Sequence, residues 1–381
     1  MSEYQYYEFQ AIDKPLTAKE REALRCLSSR AQITSTSFTN TYHWGDFSGK
    51  PRAMMEEFFD AFLYLANWGT HWFMLRLPRT LLNPEVANEY CYTDCASAVK
   101  AGDHVILDFT SEIEDCEWIE DEGDWLSSLV QLRADLARGD YRCLYLAWLL
   151  SAQQGELDDD ELEPPVPPNL KELTEPLQCF ADFLRIDDDL IEIAAQNSTT
   201  QKQTETSEAE LKGWIAHLSQ AEKEDWLLKL ATNKHSHLGT EFQQRLKRDQ
   251  TPVTKKDTSA PRRTVANLLQ MTEAFTKERC RLEAEKKARE KARREIEEAE
   301  ARKRYLLSIN ENVDAYWGKV DALINTKQPQ KYEQAVTSLI NLRDLAELTG
   351  TQAAFSTRMT ALRTEHARKP ALMQRFREAM L

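Results

Sequence analysis

The sequence predicts an α+β (or α/β) N-terminal domain followed by mainly α-helical middle and C-terminal regions with one long charged helix. Three observations carry this reading. Aromatic and β-branched segments of strand character fall within the first 123 residues. Beyond them the chain shows the chemistry of helix starts and stops: capping boxes, and Gly where a left-handed C-terminal residue is wanted. From Thr264 to Leu307 there is neither Gly nor Pro, and Lys277–Arg304 is almost entirely Ala, Glu, Lys and Arg. A length of 381 residues accommodates two or three domains.

In residues 1–123, Tyr4–Ile12 reads as a strand, and Thr17-Ala-Lys-Glu20 is a capping box opening a helix through Leu27. Ile33–Trp44 reads as a second strand, ending at Gly45-Asp46. From Arg52, the spacing of Met55, Phe58, Phe59, Phe62 and Ala66 predicts one helix with a buried face. Trp72–Leu77 is an apolar run expected to be covered on both faces, and Val105–Phe109 and Cys116–Ile119 read as short strands. Alternation around Cys91–Ser97 suggests another.

Residues 124–196 form an acidic helical region. Helices around Trp125–Leu136 and Tyr141–Ala152 end at Gly139 and Gly155, and helices resume at Leu170–Arg185 and Asp188–Ala195. Between them the Asp- and Pro-rich stretch from Gly155 to Pro168 is expected to be an extended, exposed connector. Asn197–Thr206 is a polar linker. Residues 207–247 make a small helical unit whose helices begin at the capping boxes Ser207-Glu-Ala-Glu210 and Ser219-Gln-Ala-Glu222. Residues 248–263 are a second linker, and 264–381 hold the long charged helix and a C-terminal helical bundle. Along the long helix, Glu283–Lys287, Glu285–Arg289, Glu290–Arg294, Glu298–Arg302 and Glu300–Arg304 stand in the favourable i,i+4 order, beside a stripe of Ala284, Ala288, Ala292, Ile296 and Ala299.

Charge is divided unevenly: residues 1–200 carry a net −22 and residues 201–381 a net +8. Such asymmetry speaks to partners and solubility rather than to chemistry. No apolar run approaches a membrane span, no secretory signal is visible at the N-terminus, and seven irregularly spaced cysteines do not suggest a disulfide framework. These point to a cytoplasmic protein with no membrane association. Nucleotide-binding Gly loops, Ser-His-Asp order and His-Glu-x-x-His are absent, so no cofactor, metal or catalytic residue is assigned. Cys91, Cys95, His104 and Cys116, or His235 and His237, do not have the spacing of a zinc site, and the Asp187–Asp189 run reads as a helix start.

The stretches ITSTSFTNTYHWGDFSGKPRAMMEEFFDAFLYLANWGT (33–70) and DYRCLYLAWLLSAQQGELDDDELEPPVPP (140–168) resemble an uncharacterised family of bacterial proteins. LSQAEKEDWLLKLA, RRTVANLLQMTEAF and YWGKVDALINTKQPQKYEQAVTSLINLRDLAELTG resemble the C-terminal extension of bacterial proteins that carry a SWIM-type zinc finger. The resemblance implies a module used beside a nucleic-acid-associated finger, and no reaction. The Cys-x-Cys and Cys-x-His motif of that finger does not occur here.

The reading that follows is a non-enzymatic interaction or adaptor protein, binding a protein partner through its acidic helical surface and charged helical arm, with self-association as a further mode. The alternative is a nucleic-acid-binding protein that uses the basic helix, with Arg262, Arg263, Lys286, Lys287, Arg293 and Arg294 on the phosphates. A third alternative, an enzyme of unknown type in the N-terminal domain, requires a pocket gathering His43, Trp44, Asp46 and Arg76.

Overall fold

The computed structural model describes residues 4–113, 124–201, 208–232, 237–250 and 262–381. The chain divides into two compact units, Met1–Glu278 and Arg279–Leu381.

A seven-stranded antiparallel sheet organises the first unit: β1 (Gln5–Gln10), β2 (Gln32–Ile33), β3 (Ser37–Tyr42), β4 (Ala61–Ala66), β5 (Thr70–Pro78), β6 (Ala96–Ala101) and β7 (His104–Glu112), in the order β2-β3-β1-β4-β5-β7-β6. In β1, Gln5, Tyr7 and Phe9 point inward and alternate with half-buried neighbours, as a period of two requires. Between β1 and β2 lies α1 (Ala18–Leu27), opened by the predicted capping box: Thr17 Oγ1 accepts from the Glu20 amide, and Glu20 reaches back to the Thr17 amide.

The single helix expected from Arg52 to Ala66 is two elements. Only Pro51–Glu57 is helical (α2); Phe62 and Ala66 lie on β4, which is buried along its whole length. A strand covered on both faces is a continuous apolar run, and such a run mimics helical spacing. Even-numbered Phe62, Tyr64 and Ala66 join Phe9, Phe38 and Phe59 in the core under α1 and α2, while Ala61, Leu63 and Leu65 face a second core on the opposite side. Around Cys91–Ser97 the strand begins only at Ala96, after the short α3 (Pro84–Ala87). Cys116–Ile119 lies outside the described residues.

The second core is roofed by α4 (Trp125–Leu129), α5 (Gln131–Ala137), α6 (Arg142–Gln153), α7 (Glu175–Leu184) and α8 (Asp188–Ala195). Gly139 and Gly155 end their helices at φ 85° and 73°, the conformation a side chain resists. Buried His71 on β5 donates from Nδ1 to the Phe183 carbonyl of α7. Burial, helped by the Arg185 charge, pushes its imidazole down to about 4 from an ordinary 6.5. The folded state therefore keeps His71 neutral where the unfolded chain takes up a proton, so this contribution is complete above pH 6.5 and is lost as pH falls towards 4. Denaturant midpoints across that window should fall with acidification, and His71→Phe should remove up to about 1.4 kcal/mol per pH unit of the slope. An unchanged slope would contradict this.

The Pro-rich connector is not exposed along its length: Leu157, Glu163, Pro164 and Pro167 are buried, and Leu162 forms an antiparallel bridge with Thr264. Amides continue the pairing, from Glu163 to the Arg263 carbonyl (2.9 Å) and from Val265 to that of Glu161 (3.0 Å). Proline lacks a donor but the acidic residues between do not, so an extended segment finds a partner across the fold. The start of the expected 197–206 linker is also held, since the Ser198 hydroxyl accepts from the Leu170 amide (2.9 Å) and donates to the Pro167 carbonyl (2.7 Å).

Helices α9 (Glu208–His217), α10 (Gln220–Thr232) and α11 (Leu238–Gln250) bring Trp214 and Trp226 edge-on to Phe242, with ring centroids 4.9 and 5.1 Å away. Ser219 and Glu222 complete the capping box of α10, whereas Ser207 lies outside the described residues. Polar contacts seat α11: Gln244 donates to the Leu81 carbonyl (2.8 Å), Thr80 to Glu241 (2.7 Å), and His237 bonds Asp13 (2.7 Å).

In the second unit, α13 (Val313–Asn325), α14 (Pro329–Thr349), α15 (Gln352–Glu365) and α16 (Pro370–Glu378) surround Trp317, Val320, Ile324, Leu339, Leu372 and Phe376. The joints fall at the expected places, with Gly350 capping α14.

Candidate interaction surface

The long charged helix is α12, Val265–Asn310. Its first turns bury Val265 and Leu268 in the core of the first unit, and its last turns bury Leu306 and Ile309 in that of the second. Between them every residue from Lys277 to Tyr305 is exposed. A polar, uncovered helix of this kind is held by its own side chains. The ion pairs along it run Arg279–Glu283 (3.1 Å), Arg281–Glu285 (2.8 Å), Lys291–Glu295 (3.9 Å) and Arg293–Glu297 (3.5 Å). These four are basic-first, opposite to the order expected from sequence, whereas Lys277 pairs back to Glu273 (2.6 Å) in the acid-first order. Glu283 and Glu285 have a cation four residues away on either side, and rotamers worth a few tenths of a kcal/mol decide between them.

The six predicted binding residues divide. Lys286, Lys287, Arg293 and Arg294 are exposed on α12, and Arg262 is exposed ahead of it. Residues seven apart lie on one side of a helix, so Lys286 with Arg293 and Lys287 with Arg294 make two parallel rows. Arg263 is not on that surface. Its side chain is 9% exposed and forks onto Glu163, itself 2% exposed, at 2.6 and 2.9 Å. Its remaining donors reach the Ile193 and Ala194 carbonyls at the end of α8, and Tyr145 of α6 donates to the same Glu163 oxygen. Burial works to lower the Arg263 pKa, but the bond and charge of Glu163 overcome it and the net direction is up. A carboxylate buried in the connector needs a cation, and the first arginine reached by the bridging backbone fills that need.

The other clusters that the sequence suggests have structural partners. Asp187 caps α8, and Asp189 accepts from Thr276 of α12 (2.7 Å). Cys91, Cys95 and Cys143 are buried; burial raises all three thiols, Cys95 to about 11. His104 opens β7 opposite Ala101, at the other end of the hairpin from Cys95. Among the described residues no His, Cys, Asp and Glu group is placed to hold a metal ion. His43, Trp44 and Asp46 follow β3 at the Gln5 end of the sheet, while Arg76 lies at the Gln10 end and pairs with Asp60 at 2.8 Å. The pocket required for an enzymatic reading is not formed by these four.

Sequence reasoning misses one constellation. Trp72, expected to be covered on both faces, is half-exposed and lines an open cavity of about 680 Å³ with Lys50, Arg52, Glu56, Thr70, Thr110 and Glu112. Asp108 lies beneath, 4% exposed, accepting from Arg52 Nε and from Trp72 Nε1, both at 2.6 Å. The signal available is a single carboxylate inside the apolar strand Val105–Phe109, which demands a cation from elsewhere.

No protein-family model matches this chain, and neither a curated protein nor a solved structure matches it. No helix among the described residues is long and apolar enough to cross a membrane.

Proposed function

We propose that the protein is an interaction protein that docks a protein partner along the exposed stretch of α12. One observation carries the proposal: every residue of the helix from Lys277 to Tyr305 is exposed, with Arg302 and Tyr305 near its end meeting Asp344 and Asn341 of α14, while Val265 and Leu268 before this stretch and Leu306 and Ile309 after it are buried in packed cores. A helix so displayed presents its surface to something outside the chain. That surface is charged, and Leu282 and Ile296 stand out from it, 52% and 60% exposed. They are fourteen residues apart, close to four turns, and so lie on one side. The partner's matching surface is a shallow apolar strip flanked by mixed charge, the arrangement with which two helices pair. The resemblance of the later stretches to the extensions of SWIM-type zinc-finger proteins belongs to the same proposal, as a module reused beside other binding domains.

Leu282→Glu with Ile296→Glu is expected to leave thermal stability unchanged, because both sites are exposed, and to abolish recovery of a stoichiometric partner that the full chain retains. Recovery of the same partner by the double variant would refute docking on α12.

Nucleic-acid binding is the second reading, favoured by one observation: among the described residues Lys286, Lys287 and Arg294 carry no ion pair within the chain. Under this reading labelled duplex binds at low salt, and affinity falls with a log–log slope of about −0.9 per phosphate neutralised. No binding at low salt removes it.

A further inference from the structure

We propose that the cavity over Trp72 is a binding site for the carboxylate end of a peptide, independent of α12. Arg52 is the reason. Its side chain is 65% exposed, yet the buried Asp108 fixes its position through Nε alone. Both terminal nitrogens carry no hydrogen bond among the described residues, so the two-pronged face of the guanidinium is turned outward, already oriented. That face matches a carboxylate or phosphate in paired hydrogen bonds.

The remaining lining selects between these anions. Trp72 is held by its bond to Asp108 and by the edge-on rings of Phe62 and Tyr64, with centroids 4.9 and 6.4 Å away, so its indole is a rigid platform for an apolar side chain. Glu56 and Glu112 border the same cavity as Lys50 and Arg52. Two carboxylates oppose a doubly charged phosphate more than a singly charged carboxylate, and they attract a basic group on the same ligand. A volume of about 680 Å³ falls among pockets that take ligands larger than one amino acid. The ligand class is therefore a short peptide end: a free carboxylate on Arg52, an apolar last side chain against Trp72, and a basic group upstream facing Glu56 and Glu112. Capture of a terminal carboxylate by fixed donors is an established mode of peptide recognition.

The test is calorimetric titration of the full chain with the tetrapeptide Gly-Lys-Gly-Phe, with its C-terminal amide, and with phenyl phosphate. The free acid should bind, and the amide at least tenfold more weakly. Arg52→Gln should lose the acid's advantage over the amide. Because that variant takes a donor from buried Asp108, Thr110→Tyr supplies a second arm: it fills the cavity without touching the Arg52–Asp108 bond and should abolish binding with an unchanged melting temperature. No binding of the acid at millimolar concentration would overturn the proposal. So would equal affinity of acid and amide, full binding by Thr110→Tyr, or phenyl phosphate binding as tightly as the acid.

Discussion

Glu163→Ala should destabilise the first unit severely. The substitution strands the Arg263 guanidinium, 9% exposed, without its carboxylate, and leaves the Tyr145 hydroxyl without its acceptor. Removing one partner of a buried ion pair costs about 3–5 kcal/mol. For a unit of this size that is a fall in melting temperature of roughly 6–20 °C. Replacing both partners together, Glu163→Met with Arg263→Met, should recover most of the loss, since well-packed apolar residues substitute for a buried pair at little cost. A Glu163→Ala melting temperature within about 2 °C of the parent, measured by scanning calorimetry, would mean that water solvates Arg263 and that the connector is less closed than its burial implies.

Asp60→Ala is expected to have the second largest effect. The side chain, 1% exposed, accepts from the Ile12 and Asp13 amides at 2.7 and 2.9 Å and from Arg76 Nε and Nη2 at 3.1 and 2.8 Å. It ties the segment that follows β1, the start of β4 and the last part of β5 together. Its loss leaves two backbone donors without their acceptor and strips a largely buried guanidinium of its counter-charge, although Arg76 Nη1 still donates to the Met55 and Glu56 carbonyls. About 3 kcal/mol or more should follow. Asp60→Asn should cost less, because the amide oxygen still accepts from the backbone while the charge on Arg76 goes unmatched. Equal effects of Ala and Asn in denaturant titrations would assign the stabilisation to the ion pair alone.

What the sequence makes legible is what short-range chemistry decides. The box at Thr17, the glycines at 139 and 155, the alternation in β1 and the amphipathic helices after Val313 are all read within a window of a few residues, and the structure has them at the expected places. The exposure of α12 is equally visible in its composition. The failures share a different cause. Phe62 and Ala66 fit a helical spacing because burial on both faces erases the period that separates strand from helix. The connector reads as solvated because nothing near it announces Arg263, which arrives 100 positions later. Arg52 and Asp108 stand 56 positions apart and Trp72 lies between them, so the cavity they define is a product of the sheet and not of any local pattern.

The bond between Glu163 and Arg263 also sets a schedule for the growing chain. At about 5–20 residues per second, the hundred residues separating them take roughly 5–20 s to synthesise. During that interval the sheet and α4–α6 are already made and α7 and α8 follow, yet the carboxylate that the finished fold encloses lacks its Arg263 counter-charge. The enclosure of Glu163 within the Pro-rich segment can thus be completed only when the start of α12 has been synthesised.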